Sequence, residues 1–147
     1  KMPGRDYARV HYKTYSGAFP FSKLVYPLPE AGGLGIHLTL DMAGGARFGP
    51  DVQCVEEPGY GFDQDLTEKF ASAIRAYWPD LEADRLQSGY AGIRPKIVGP
   101  GESQADFVIQ HHADHGLAGA IHLFGIESPG LTASLAIGDH VLTLLEQ

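Results

Sequence analysis

The amino-acid sequence predicts an α+β fold with one antiparallel or mixed sheet and two main helices. Segments rich in aromatic and β-branched residues, with alternating apolar and polar positions, are typical of strands and occur before residue 50 and again from residue 90. Two further segments have apolar residues at helical spacing, one after Asp65 and one from about Pro129. There is no internal repeat and no low-complexity segment, so we expect a single domain over residues 1–147.

The clearest predicted strand covers residues 36–41, where apolar side chains alternate with His37, Thr39 and Asp41 on the opposite face. The Ala-Gly-Gly sequence at 43–45 predicts a hairpin turn into a following strand. Further strands are predicted at residues 7–15, 24–26, 46 onward, 90–97, 107–110 and 120–124.

The first helix is predicted from apolar residues at helical spacing between Leu66 and Tyr77, with Asp65 placed to cap its start and Pro79 to stop it. The second helix is predicted at about 129–145 and has apolar residues on nearly all sides. Such a helix requires burial almost all round. We therefore expect a partner surface over it, unless the sheet and the first helix together cover it.

Composition indicates a compact folded chain. With 147 residues, 44% apolar and 20% charged, the chain can bury a core without disulfides or a structural metal. Cys54 is the only cysteine, which excludes an internal disulfide and a cysteine-based zinc site. A lone cysteine favours a reducing compartment, and we expect a cytoplasmic protein.

The charge and the apolar runs argue against two classes of partner. A net charge of -7 with 11 scattered Lys and Arg residues argues against nucleic acid. No apolar run reaches the roughly 20 residues that span a bilayer, so no membrane span is expected. The opening Lys1-Met2 suggests a piece of a longer chain.

The strongest local signal is the segment 125–132, which leads into the last helix. Ser128 suits the N-cap and Pro129 the first helical position. A helix N-terminus attracts anions, and glycines let a flat ligand approach the backbone. The free N–H groups there would belong to Gly130, Leu131 and Thr132. An ordinary capped helix that binds nothing is the alternative.

Arg94 is a candidate carboxylate clamp. In a strand at 90–97, Tyr90, Arg94 and Lys96 share a face around the gap left by Gly92. A guanidinium binds a carboxylate through two parallel hydrogen bonds. Solvated cations on an edge strand are the alternative.

Histidines provide two further candidates. His37 shares a strand face with Thr39 and Asp41, a pattern that suits a general base with an orienting carboxylate, or else an ordinary polar face. His111, His112 and His115 resemble a metal cluster in composition only, because their predicted loop fixes no geometry, and we expect no metal. His122 and Cys54 are expected to be packing residues.

Three phosphate or nucleophile motifs are absent. The sequence has no Gly-x-Gly-x-x-Gly between a strand and a helix, no Gly-rich Lys-Ser/Thr loop and no Gly-x-Ser-x-Gly. The chain by itself therefore encodes no dinucleotide site.

Five motifs together carry a family resemblance: LVYPLP at 24–29, GIHLT at 35–39, RFGP at 47–50, GYAGIRP at 89–95 and GIESPGLT at 125–132. In this order they resemble the second half of the D-amino-acid-oxidase (DAO) superfamily of FAD-dependent oxidoreductases, closest to its L-2-hydroxyglutarate dehydrogenase branch. The resemblance covers nearly the whole chain.

The resemblance implies a substrate-side domain whose N-terminal, FAD-binding Rossmann half lies outside this sequence. It implies that His37 lies near the reacting carbon and that Arg94, with Tyr90, binds the carboxylate of a small substrate. The residues implied to contact FAD are Gly125, Ser128, Pro129, Gly130, Leu131 and Thr132. We expect the flavin-side surface to be covered by the missing half or by a second copy of the chain.

The activity implied is oxidation of a 2-hydroxy acid to a 2-oxo acid. The Arg-Pro motif at 94–95 also suits amino-acid and sarcosine oxidases, so the substrate class stays open here. A non-catalytic binding module is the alternative from another class, and a hydrolase ranks last because no nucleophile motif supports it.

Overall fold

A computed structural model describes residues 4, 6–28, 35–62, 66–103 and 105–146 of the chain. It divides into two compact units, one of Tyr7–Arg94 and the other of Lys1–Asp6 with Pro95–Gln147. Antiparallel strands and three helices confirm the predicted α+β class. The expectation of one domain over the whole chain stays a prediction.

The first unit is built on a five-stranded sheet in which β1 is the central strand. The order is β2-β3-β1-β4, and β5 also pairs with β1. The β1–β3, β1–β4 and β2–β3 pairs are antiparallel. The strands are β1 Asp6–Tyr15, β2 His37–Leu40, β3 Ala46–Gly49, β4 Gln53–Val55 and β5 Leu86–Lys96.

The strand register sorts the side chains onto two faces. Phe48 lies opposite both Leu38 and Lys13, so these three share one face. Arg47 lies opposite both Thr39 and Thr14 and therefore points to the other face. Because strand side chains alternate, residues two positions along each strand lie on the same face.

One face of the sheet is buried under α1, Thr67–Arg75. The fully buried Phe70 and Ile74 of this helix belong to the same hydrophobic cluster as Leu38 and Phe48 of the sheet. The predicted helix is thus confirmed, with Leu66 at its N-cap position. The proposed cap Asp65 lies outside the described residues.

The prediction of a strand at residues 24–26 is wrong. Within the described part of this region, only Val25 pairs, through an isolated bridge to Leu38. The hairpin turn at 43–45 is confirmed, since Asp41 and Gly45 pair through the backbone and Gly44 has a φ of 83°. Glycine reaches this left-handed region without the steric cost that a side chain adds.

The buried face of β1 contains polar residues that the sequence pattern did not predict. Asp51 accepts hydrogen bonds from the backbone N–H of His11 at 2.8 Å and from its Nδ1 at 2.9 Å. Lys69 Nζ donates to the other oxygen of Asp51 at 3.1 Å. Lys13 is 2% exposed and donates to the Thr67 hydroxyl at 3.0 Å, and burial lowers the pKa of its ammonium group.

The second unit contains a two-stranded antiparallel sheet and two helices. The elements are β6 Val108–Gln110, α2 His112–His115, β7 His122–Phe124 and α3 Ser134–Leu145. In the described part of the chain, none of the helices is long and apolar enough to cross a bilayer.

The predicted start of the last helix is wrong. The helix begins at Ser134 with Ala133 in the N-cap position, so Ser128 is not its N-cap and Pro129 is not its first residue. Tight turns occupy residues 128–133 instead. The Gly130 N–H donates to the Glu127 carbonyl, and these local bonds replace the first turn of the expected helix.

Helix α3 has no buried residue. Leu135 is 85% exposed and Leu142 is 57% exposed, and Leu131 in the preceding turn is 91% exposed. These leucines give helix α3 an exposed apolar side. The expectation of a partner surface over it stays a prediction.

We expect Phe70→Ala to lower the free energy of unfolding by about 3–5 kcal/mol, because it opens a cavity in the contact between α1 and the sheet. Chemical denaturation followed by circular dichroism measures this change. Ser72→Ala, at an exposed position of the same helix, should change stability by less than about 0.5 kcal/mol. Equal effects of the two substitutions would contradict the assignment of Phe70 to the core.

Candidate functional site

His37 is held on the sheet face opposite α1. The residue is 7% exposed, and its ring stacks on Tyr26, with the ring centroids 4.4 Å apart and the planes at 13°. Its Nδ1 lies 3.3 Å from the Gly35 carbonyl oxygen. A carbonyl can only accept, so Nδ1 carries the hydrogen and Nε2 of the neutral ring carries the free lone pair.

The surroundings of His37 favour its neutral form. Burial lowers the pKa of the imidazole, the hydrogen bond to Gly35 partly offsets this, and the positive charge of Arg94 lowers the pKa further. Burial disfavours a charged ring, and a nearby cation repels a second positive charge. The ring therefore stays a proton acceptor at a pH where a free histidine begins to be protonated.

The expected orienting role of Asp41 is wrong. Asp41 is exposed, and its Oδ1 accepts the backbone N–H of Ala43 at 2.9 Å and of Gly45 at 2.8 Å. A short carboxylate next to a turn satisfies the N–H groups of that turn. His37 is oriented by the Gly35 carbonyl instead. The Thr39 hydroxyl donates to the Arg47 carbonyl at 3.4 Å.

Tyr90 and Arg94 share the face of the sheet that carries His37. The Tyr90 ring stacks on Tyr12, with the centroids 4.6 Å apart. The pKa of Tyr12 is raised by burial first and then by Tyr90, while Arg94 lowers it. Arg94 thus influences both Tyr12 and His37, which brings the predicted clamp and the predicted base into one cluster.

The predicted second cation of the clamp, Lys96, is not available to a ligand. Its Nζ lies 2.7 Å from Glu127 Oε2 in an ion pair with both side chains mostly covered. Arg94 is exposed and has no carboxylate within 4 Å among the described residues. The space beside Gly92 is bounded by Val10, since an added Cβ would lie 3.4 Å from its side chain.

Three members of the cluster were not predicted as site residues: Tyr12, Tyr26 and Arg47. Tyr12 and Arg47 lie in predicted strands, but alternation alone does not say which face binds a ligand. The Arg47 guanidinium carbon lies 5.4 Å from the centre of the Tyr90 ring, a cation–π contact. The strand register, together with this contact, is what associates these residues with His37.

The segment 125–132 lies in the other unit. Two of its positions require glycine because of the local backbone and packing. Gly125 has a φ of 65°, and an added Cβ would lie 2.7 Å from Ile97 Cδ1. At Gly130, an added Cβ would lie 2.6 Å from the Glu127 carbonyl oxygen. These glycines are required by packing within the unit, so ligand approach is not needed to explain them.

The donors of this segment are fewer than predicted. The Gly130 N–H is already bonded to Glu127, whereas the N–H groups of Leu131 and Thr132 have no partner among the residues described. Ser128, Pro129 and Thr132 are exposed. The turn before α3 therefore presents two adjacent backbone donors and a threonine hydroxyl.

The histidines of the second unit form ring contacts. His115 stacks on His122 with the centroids 4.4 Å apart, and the Leu117 N–H donates to His115 Nδ1 at 3.2 Å. His111 and His112 meet edge to face. In the described ranges, no group of three metal-ligating side chains lies close enough to hold an ion. The role of His111, His112 and His115 stays open.

We expect the His37 imidazole to titrate below the ordinary midpoint of about 6.5. The unfolded chain takes up this proton more readily than the folded chain, so the contribution of His37 to stability is full above the ordinary value and is lost as the pH falls from there through the lower pKa of the folded state. NMR titration of the ring carbons, assigned with His37→Gln, measures the midpoint. A midpoint at or above the ordinary value would contradict this environment.

Comparisons with known proteins identify the family of the chain. The family described as "FAD dependent oxidoreductase" (DAO) matches residues 2–144. The mitochondrial L-2-hydroxyglutarate dehydrogenase of Arabidopsis thaliana is 51% identical over 152 residues, which cover 95% of this chain and 32% of that protein. The L-2-hydroxyglutarate dehydrogenase of Indibacter alkaliphilus is 28% identical, over 80% of this chain and 38% of that protein.

A solved structure shares the fold. Dithionite-reduced L-alpha-glycerophosphate oxidase from Mycoplasma pneumoniae, with FAD bound, matches with a TM-score of 0.73 and 22% identity, over 97% of this chain and 37% of that one. The chain thus spans about a third of the length of the proteins it matches. The name of the Arabidopsis relative gives no support to a cytoplasmic location. This chain belongs to the DAO family of FAD-dependent oxidoreductases.

Proposed function

We propose that this chain is the substrate-side part of an FAD-dependent enzyme that oxidises a 2-hydroxy acid, similar to L-2-hydroxyglutarate, to the 2-oxo acid. The observation that carries the proposal is the cluster on one sheet face: a buried His37, stacked on Tyr26, with a pKa lowered by burial and by the charge of the exposed Arg94. The names of two relatives support the same substrate class.

His37 is suited to accept the hydroxyl proton of such a substrate. Oxidation of the alcohol removes one proton from the oxygen and two electrons with the second hydrogen from the carbon. Nε2 of His37 can take the proton, because Nδ1 is committed to the Gly35 carbonyl. FAD, when bound, supplies the two-electron acceptor.

Arg94 and Tyr90 are suited to orient the substrate. An exposed guanidinium without a carboxylate partner in the described chain can form two parallel bonds to the 1-carboxylate. The Tyr90 hydroxyl offers a further donor at a ring that Tyr12 holds in place. Binding the carboxylate would present the neighbouring hydroxyl carbon in a fixed orientation.

The turn before α3 fits one edge of a flavin by its donor chemistry. The unpaired N–H groups of Leu131 and Thr132 are hydrogen-bond donors, and the flavin pyrimidine edge presents acceptor atoms. Ser128, Pro129 and the backbone of Gly125 belong to the same segment and would line this edge. The adenine and pyrophosphate require a Gly-rich strand-to-helix turn, which this sequence lacks.

We infer that the parent protein supplies that turn in an N-terminal, FAD-binding half, and that this half is the main partner of the chain. The exposed apolar side of α3 and the coverage of about a third of each relative support the inference. The predicted cytoplasmic location remains a proposal.

We expect His37→Gln in the parent enzyme to lower kcat by roughly 100- to 10,000-fold, the range for loss of a general base. The initial rate of flavin reduction by 2-hydroxyglutarate in stopped flow measures the step directly. In the unsubstituted enzyme the rate should fall at low pH, with a midpoint below about 6.5 because His37 must be neutral. Unchanged flavin reduction in the variant would remove His37 from the mechanism.

We expect Arg94→Met to lower kcat/KM by roughly 10- to 100-fold, because a charge-assisted pair with the substrate carboxylate is lost. The matched control is Arg75→Met, since Arg75 lies exposed on α1 at the other face of the sheet. A screen of 2-hydroxy acids against 2-amino acids for flavin bleaching tests the substrate class. Bleaching by amino acids alone would replace the proposed substrate with that of an amino-acid oxidase.

The isolated chain should bind FAD weakly and turn over no substrate. Two backbone donors of a turn contribute about 0.5–1.5 kcal/mol each, which does not offset the several kcal/mol lost on immobilising a ligand. Calorimetric titration with FAD measures the affinity, and light scattering shows whether a second copy covers the apolar side of α3. Micromolar affinity of the single chain would show that it carries the main cofactor site.

A further inference from the structure

Arg47 is a second arginine on the ligand-facing side of the sheet, and the mechanism above leaves it without a role. It lies directly opposite Thr39 and Thr14, and Thr39 is two residues along β2 from His37. Side chains two residues apart on a strand share a face and are separated by about 7 Å. Arg47 therefore extends from the row of side chains next to that of His37.

The charge of Arg47 is uncompensated. The chain has 18 acidic residues against 11 Lys and Arg, yet no carboxylate lies within 4 Å of either Arg47 or Arg94 among the residues the structure describes. Lys69, Arg85 and Lys96 each pair with an acid, whereas several other cations of the described residues, such as Arg75, also have none within 4 Å. What distinguishes Arg47 and Arg94 is that both lie on the same face of the sheet and contact phenol rings instead of carboxylates, which leaves a local positive site for an anion.

The side chain of Arg47 is also held in place. Its guanidinium carbon lies 5.4 Å from the centre of the Tyr90 ring, and that ring stacks on Tyr12. Tyr12 in turn is electrostatically coupled to Arg94. The two arginines are thus connected through a pair of stacked phenols, and ordering before binding reduces the entropy lost when a ligand is bound.

We propose that Arg47 is a specificity-determining residue that binds a second carboxylate of the substrate, while Arg94 binds the carboxylate next to the reacting carbon. The inference rests on the proposed function and assigns the distal end of the substrate to a residue of this sheet. A monocarboxylic acid of the same length leaves Arg47 without its ligand and is the poorer substrate. A site built to bind a polar group rejects an analogue that lacks it, because its own group is then unpaired.

The test uses the full-length, FAD-loaded parent enzyme and two substrates that differ only at the distal end, 2-hydroxyglutarate and 2-hydroxypentanoate. Arg47→Met should lower kcat/KM for the dicarboxylate by roughly 10- to 100-fold, mainly through KM, and that for the monocarboxylate by less than about threefold. Arg47→Lys keeps the charge but cannot form two parallel hydrogen bonds, so it should recover part of the preference for the dicarboxylate. Arg75→Met should change neither value.

Equal losses on both substrates would overturn the proposal, since Arg47 would then act only by supporting Tyr90 or by pairing with the rest of the parent protein. Absence of a preference for the dicarboxylate in the unsubstituted enzyme would overturn it as well. If Arg47→Met loses FAD or fails to fold, the inhibition constants of glutarate and pentanoate on the unsubstituted enzyme and Arg47→Lys decide the question. The proposal requires that glutarate binds the unsubstituted enzyme more tightly than pentanoate does. It also requires that Arg47→Lys weakens glutarate more than pentanoate.

The proposed function fails independently of Arg47 if neither hydroxy acid reduces the flavin of the unsubstituted enzyme. In that case kcat/KM is measured for glutamate and for 2-aminopentanoate, which differ only in the distal carboxylate. A selective loss on glutamate in Arg47→Met would support the role of Arg47 and reject only the hydroxy-acid chemistry. Equal losses would reject both.

Discussion

The packing of α1 against one face of the sheet is the contact on which the rest of the first unit depends. Phe70 and Ile74 join Leu38 and Phe48 in a single buried cluster, and this commits one face of β1, β2 and β3 to the core. Because strand side chains alternate, the same packing directs the intervening residues to the opposite face. The cluster around His37 is therefore a consequence of how the core is formed.

The opposite face of the sheet carries positive charges that have no acidic partner. His37 is buried under Tyr26 and kept neutral, whereas the guanidinium groups of Arg47 and Arg94 have no acid beside them within the described chain. On the core side, Asp51 is bonded to both His11 and Lys69, while the buried Lys13 donates to the Thr67 hydroxyl. A proton acceptor on the same face as cations without an acid partner is the arrangement on which the proposed function rests.

The second unit contributes a different kind of surface. Its turn before α3 presents backbone donors, and α3 itself leaves leucines such as Leu135 in solvent. Exposed apolar patches often mark interaction sites, and what covers this one stays a prediction. The chain spans about a third of the length of the relatives it matches.

The sequence by itself determined the elements whose signals are local: β2, the turn at Gly44, α1, and the face of β5 that carries Tyr90 and Arg94. These follow from periodicity and turn chemistry within a few residues. Only the tertiary structure decided the partners of those residues, because pairing depends on register between distant strands. It assigned Lys96 to Glu127 and Arg47 to Tyr90, contacts that no local pattern encodes.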